Sequence, residues 1–174
     1  MKIFFDVETT GFDYLRNDII SCSMIKTDDS LNIREKLYET ARPEFNEFYS
    51  TNAEEIHGFN KREMRKFQSQ ESFVDKIIKF FGQELYNLVS HTNNNFDYRM
   101  LLGSFLKVGK PHKLQYALIK NESTIKLGRN AGYKKNSLDL WADRINFTLD
   151  HHNAESDTLC CYNVYKYLTK DLML

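Results

Sequence analysis

The 174-residue chain is predicted to fold as one α/β domain, residues 1–174, around a mixed five-stranded sheet flanked by helices. Three observations predict this. Three β-forming runs open the chain with no helical pattern between them. Later apolar runs alternate with segments at helical spacing. No repeat, low-complexity tract or linker interrupts the order. A chain of this length can bury a sizeable single core.

The elements follow in order. Lys2 to Val7, KIFFDV, is a short apolar run of β-formers and reads as the first strand. Ile19 to Ile25, IISCSMI, alternates as the second, and Leu31 to Ala41 is the third, with Asp28-Asp29-Ser30 turning between them. Three consecutive strands make an antiparallel meander. Ser50-Thr51-Asn52-Ala53-Glu54-Glu55 carries an N-cap signature for a short helix ending near Gly58. Ser72 to Phe81 has apolar residues at 73, 74, 77, 78, 80 and 81, a helix packed on one face. Leu85 to Ser90 is a short buried strand. Phe96 to Val108 returns to helical spacing, with apolar residues at 96, 100, 101, 105 and 108. Tyr116 to Ile119 is the expected fifth strand and Ser123 to Asn130 a helix or loop. Ser137 caps a helix to Ile145, and Ala154 to Leu168 is the closing helix behind Asn153.

Composition narrows the function classes. Apolar residues at 41% and charged residues at 28% match ordinary globular proteins. No apolar run approaches the roughly 20 residues a bilayer requires, so no membrane partner is expected. The N-terminal run meets Asp6 and Glu8 too early for a signal peptide. Cys22, Cys160 and Cys161 form neither a disulfide framework nor a zinc pattern, which points to a reducing, cytoplasmic setting. Net charge is zero, yet Arg99 to Lys135 holds nine Lys/Arg and one acid, Glu122. That segment suits phosphates beside a metal site, or is simply a solvated lysine-rich surface.

Three stretches could carry chemistry. In Asp6-Val7-Glu8-Thr9-Thr10-Gly11, residues two apart on a strand project to one face, so Asp6 and Glu8 stand side by side. Their repulsion, sharpened by burial, is relieved by a hard divalent cation; a strand running out into solvent is the plainer alternative. Asn93-Asn94-Asn95-Phe96-Asp97 follows a buried strand. Its asparagines suit a turn and cap, and Asp97 falls in the first turn of a helix. In Asp150-His151-His152-Asn153-Ala154-Glu155-Ser156-Asp157, His152 and Asp157 lie five apart, which is wrong for two ligands on one helix face. The spacing suits one residue before a helix and one within it, or a polar helix entry capped by Asn153.

As an ordered set, these residues resemble the DEDDh group of the DnaQ-like 3'-5' exonuclease family, within the RNase H-like superfamily. FDVETTGF looks like that family's D-x-E-T-T-G. Asn52 to Phe59 is similar to its N-x-E-x-x-x-I-H-G loop. Leu88 to Leu101 resembles L-V-x-H-N-x-x-F-D-x-x-x-L, and His152-x-Ala154-x-x-Asp157 matches H-x-A-x-x-D. Two departures stand out. The family's histidine before Asn93 is replaced by Thr92, with His91 one position earlier, from which tuning of activity is expected. The stretch from Gly109 to Glu122 looks longer than usual.

The resemblance implies an RNase H-like exonuclease fold and two divalent metal ions, Mg²⁺ or Mn²⁺. Asp6 would bridge them, Glu8 and Asp157 would complete one site, and Asp97 would support the other. His152 would be the general base toward the attacking water, with His151 a bystander. Thr9, Thr10 and Phe12 would lie along the 3'-terminal nucleotide, with Ile56, His57 and Phe59 across from it and Asn93 and Phe96 also binding substrate. The implied substrate is a single-stranded 3' end, DNA favoured over RNA, as in polymerase proofreading or repair. An exoribonuclease of the same family and a catalytically silent nucleic-acid-binding module are the alternatives. No tail long enough to tether a polymerase follows the last motif, although a surface-mediated replication partner and a homodimer remain compatible with the sequence.

Overall fold

The computed structural model describes residues 1–44 and 49–170. Strand β1 (Lys2–Thr9) explains the layering. Alternate side chains of a strand face opposite sides, and here both sides are apolar: Ile3, Phe5 and Val7 enter one core, Phe4 another. Such a strand needs cover on both faces and lies centrally. It is flanked by β2 (Ile19–Thr27), β3 (Ile33–Thr40), β4 (Tyr86–Ser90) and β5 (Leu118–Ser123) in the order β3-β2-β1-β4-β5. The β1–β2 and β2–β3 pairs are antiparallel, and β1–β4 and β4–β5 are parallel. The predicted mixed five-stranded sheet with its antiparallel meander is what forms.

Eight helices occur among the described residues: α1 (Thr51–His57), α2 (Lys61–Met64), α3 (Gln70–Phe81), α4 (Phe96–Lys107), α5 (Pro111–Ala117), α6 (Thr124–Asn130), α7 (Leu138–Ile145) and α8 (Ala154–Thr169). On one face, Phe73, Val74, Ile77 and Phe80 of α3 and Met100, Leu101 and Phe105 of α4 pack with Ile3 and Phe5. On the other, Phe4 meets Tyr162 and Tyr165 of α8 edge-on, at centroid distances of 5.2 and 5.3 Å. Burying a ring of this kind stabilises the fold by roughly 2–3 kcal/mol. Trp141 and Ala142 of α7 then pack on Cys160 and Val164 of α8.

This layering positions the site. Asp6 and Glu8 continue the Phe4 side of β1 and so face α8. The parallel register Phe4↔Val89 ends β4 beside the point where β1 reaches Asp6. The loop after Ser90 and the start of α4 therefore emerge next to the two carboxylates.

Several boundaries differ from expectation. Helix α3 begins at Gln70, two residues before Ser72, because Ser69 caps it by accepting from the Ser72 N–H. Helix α2 was not expected, although Asn60 and Glu63 form a reciprocal capping box. The fifth strand starts at Leu118, because Pro111 opens a helix that runs through Tyr116 to Ala117. The long Gly109–Glu122 stretch is thus α5 plus most of β5. Ser123 caps α6, which proves to be helical. Ser50 and Ser137 occupy N-cap positions without side-chain cap bonds; the Ser50 backbone N–H donates instead to the Thr10 carbonyl at 2.9 Å, tying α1 to the end of β1. Among the described residues, no helix is long and apolar enough to cross a membrane.

Candidate active site

Strand β1 and helix α8 meet at three carboxylates. Asn153 caps α8, its Oδ1 accepting from the N–H groups of Glu155 and Ser156 at 3.1 and 3.3 Å. That cap fixes the rotation of the first turns and turns Asp157 toward the sheet. One carboxylate oxygen from each of Asp6, Glu8 and Asp157 lies within 4.8 Å of the others. Asp97, in the first turn of α4, stands outside that trio. It is nevertheless buried, 5% exposed, and its charge acts on both Asp6 and Glu8.

The electrostatics show what the cluster lacks. Burial, then the charges of Asp97, Asp157 and Glu8, hold Asp6 well above the usual carboxylate range. Burial, then Asp157 and Asp97, push Glu8 up to about 8. Burial also raises Asp97 and Asp157, each to about 6, with His151 pulling against the rise at Asp157. Oδ1 of Asp157 is buried without a hydrogen-bond partner. Asp6 and Glu8, confined with two further acids, need added positive charge to ionise fully at neutral pH. An all-oxygen donor set of this kind fits a hard divalent ion such as Mg²⁺ or Mn²⁺.

One cavity reaches the cluster through Glu8, and a second shares a wall with it. The first, about 310 Å³, is lined by Glu8, Thr9, Phe12, Ile56, His57, Phe96 and His152, with Ser50, Asn52 and Ala53 behind. Phe12 is 83% exposed and lies 5.8 Å from the Phe96 ring, two apolar surfaces at the mouth. The second, about 400 Å³, shares Ile56, His57 and His152 as a wall and adds Ser21, Tyr38 and Phe59. His57 is buried. Its Nδ1 accepts from the Phe59 N–H, while Nε2 has no partner.

The structure separates the residues named from sequence. Asp6, Glu8 and Asp157 converge, with Asp97 coupled to them by charge. Thr9, Phe12, Ile56, His57 and Phe96 share the first cavity, and Phe59 lines the second. Thr10 and Asn93 line neither. The Thr10 side chain is buried, its Oγ1 accepting from the Asp18 N–H at 2.9 Å, and Asn93 is exposed on its loop.

His152 stands outside α8 in the left-handed region, φ 60°, with its ring stacked on His151 at 5.0 Å. His151 is more than a bystander. Its Nε2 pairs with Asp139 at 2.6 Å, and its Nδ1 comes to 3.9 Å from Asp157 Oδ1. Asp139 carried no sequence signal for this role, since α7 and α8 meet only in the fold. Ser50, Asn52 and Ala53 were more accessible, lying within one helical turn or so of Ile56 and His57. His91 is structural: Nδ1 meets Thr124 Oγ1 at 2.7 Å, Nε2 donates to the Asn136 carbonyl at 2.8 Å, and burial pushes its pKa down to about 4.

Comparison with known proteins follows the same lines. The sequence profile described as Exonuclease matches residues 3–165. Among solved structures, one of exonuclease I concerned with processivity superposes with a TM-score of 0.83 at 17% identity, covering 98% of this chain and 42% of that one. A zinc-bound complex of Escherichia coli exonuclease I with single-stranded DNA gives 0.83 at 17% identity, over 97% and 40%. Exonuclease I from the moderately thermophilic Methylocaldum szegediense gives 0.82 at 17% identity, over 97% and 40%. The chain thus spans about two fifths of the length of the proteins it superposes on. No curated protein sequence matches it significantly.

Proposed function

The chain belongs to the Exonuclease family, and from that membership we propose that it removes nucleotides from single-stranded 3' ends of DNA by two-metal-ion hydrolysis. One observation carries the reading: a trio of buried carboxylates, with an unpartnered Asp157 oxygen, reaches an apolar cavity of about 310 Å³ through Glu8. The cavity suits one terminal nucleotide, and the cluster suits the phosphodiester attached to it.

Asp6, Glu8 and Asp157 would hold one cation, and Asp97 together with Asp6 would hold a second. When bound, these ions supply positive charge against the phosphodiester and the departing 3' oxygen. The chain provides the rest. Phe12, Ile56 and Phe96 flank the terminal base by stacking and apolar contact, which tolerates any sequence. His152, exposed at the shared wall of both cavities, accepts the proton of the attacking water and releases it to solvent. His151, anchored by Asp139, supports the ring of His152 by stacking on it. DNA is favoured because several exonuclease I structures of the same fold hold single-stranded DNA oligonucleotides.

Matched DNA and RNA oligonucleotides, 5'-labelled, test the reading with Mg²⁺, with Mn²⁺ and with chelator. A ladder shortening from the 3' end on DNA, dependent on either ion, is expected. Cleavage in chelator would overturn the metal mechanism. Faster loss of RNA would reassign the substrate, and binding without cleavage would leave a silent module.

A further inference from the structure

The nine basic residues between Arg99 and Lys135 divide in the fold. Lys107 pairs with Asp18 at 2.7 Å, Lys110 with Asp75 at 2.6 Å and Lys120 with Glu122 at 3.3 Å. Arg99 lies over the Tyr14 ring, and Lys113 stands apart on α5. Lys126, Arg129, Lys134 and Lys135 are different: all four are exposed, and none has a carboxylate partner among the described residues. Lys126 and Arg129 are three apart on α6, and so share a face. No acid occurs between Glu122 and Asp139. Both of these acids are engaged, Glu122 by Lys2 and Lys120, and Asp139 by His151. Four exposed like charges thus fall within ten residues without a carboxylate partner among the described residues, an arrangement that suits a polyanion.

The segment that carries them is locked to the residues just after β4, the strand beside β1. His91, the first residue after β4, bonds Thr124 at the start of α6 and the Asn136 carbonyl beyond Lys135. Asn136 Nδ2 donates to the Tyr133 carbonyl, and its Oδ1 accepts from Trp141 Nε1 at 3.2 Å. Gly128 lies so close beneath that a Cβ there would fall 2.2 Å from Asn136 Oδ1 and 3.0 Å from the Trp141 ring. Ser123 Oγ donates to the Thr92 carbonyl, in the same loop that leads to Asp97. The displaced histidine of the second motif thus acts as a latch. It fixes both ends of a basic arm to the strand end from which the acidic site is built. Helix α6 has seven residues, about 10 Å at 1.5 Å per residue, so the arm stays near the site.

We propose that this arm, Lys126, Arg129, Lys134 and Lys135, is a second nucleic-acid contact that grips the phosphodiester backbone of the substrate strand upstream of the terminal-nucleotide cavity. The proposal rests on the 3'-exonuclease reading above. Its consequence is length dependence: a strand long enough to reach the arm binds more tightly than one that fills only the cavity.

The test compares the full chain with a variant carrying Lys126→Ala, Arg129→Ala, Lys134→Ala and Lys135→Ala, matched by circular dichroism and melting temperature. Substrates are oligothymidylates of three and twenty nucleotides. KM for the longer strand is expected to rise about tenfold or more in the variant, while the trinucleotide is cleaved equally by both. Each lost phosphate contact should flatten the dependence of log affinity on log salt by about 0.7. A lysine-to-arginine set should restore affinity for the longer strand. Equal KM values on the twenty-mer, or equal losses on both lengths, would overturn the proposal. If wild type cleaves neither substrate, the exonuclease reading fails. Fluorescence anisotropy with the twenty-mer still decides the arm in that case, weaker binding by the variant supporting it and equal binding overturning it.

Discussion

The backbone N–H of Phe59 donates to Nδ1 of His57 at 3.0 Å, so the His57 proton sits on Nε2. Burial holds this imidazole below its ordinary pKa, against a weaker upward pull from Glu54, and so keeps it neutral. Its Nε2–H is buried without a partner in the wall shared by both cavities. A lone donor placed there calls for an acceptor on the substrate. His57→Phe keeps a ring and removes the donor. With one hydrogen bond worth about 0.5–1.5 kcal/mol, KM for a single-stranded oligonucleotide should rise about 2- to 10-fold, with kcat changing less. An unchanged KM would mean that Nε2–H makes no contact with the substrate.

The two adjacent histidines make opposite predictions. His152→Ala should lower kcat about 100-fold or more at neutral pH, the usual scale for a lost general base. His151→Ala and Asp139→Asn should retain most activity, since His151 is held by Asp139 and lines only the second cavity. His151 is the ring that comes within 3.9 Å of Asp157. The reverse ranking would therefore transfer the base role to His151.

The acid cluster predicts an unusual stability profile without metal. Glu8 and Asp6 have folded pKa values above their unfolded ones, Glu8 at about 8. The metal-free folded chain then binds more protons than the unfolded chain, and stability falls as pH rises toward 8. His91 works the other way: its folded pKa, about 4, lies below its unfolded value, so its contribution is lost as pH falls from about 6.5 toward 4. The window from pH 6.5 to 8 isolates the acids. Denaturant midpoints should be lower at pH 8 than at 6.5 in chelator, and Mg²⁺ should raise the pH 8 value more. A metal-free midpoint that climbs across this window would contradict the cluster's electrostatics.

Gly103 in α4 admits the backbone of the loop that carries Phe12. A Cβ there would fall 2.0 Å from the Tyr14 carbonyl oxygen. Helix propensity alone would make Gly103→Ala stabilising by about 1 kcal/mol. Forcing the loop away should outweigh that, with a net loss of roughly 1–2 kcal/mol and weaker binding of the terminal nucleotide. Thermal melting gives the sign, and a raised melting temperature would show that the loop yields freely.

Local patterns make much of the molecule legible from neighbouring residues alone. KIFFDV, IISCSMI and the apolar spacing of residues 73–81 identify strands and a helix, because periods of 2 and 3.6 are written in consecutive residues. The same period of 2 puts Asp6 and Glu8 on one face, and the Asn153 cap places His152 outside α8 and Asp157 within it. What depends on distant partners is not legible in this way. Pairing with β4, Val89↔Glu122 included, fixes where β5 lies, and Pro111 carries the preceding helix through Tyr116. Thr10 is occupied by Asp18 and not by a cavity, and His151 is claimed by Asp139 across the α7–α8 contact. His91 gains its role as a latch only because β4, α6 and the residues before α7 converge. The sequence determined most of the elements and the acids, since these follow from neighbours along the chain. Only the tertiary structure decided which histidine meets which carboxylate and which lysines stay unpaired, because those outcomes are set by packing between segments far apart in sequence.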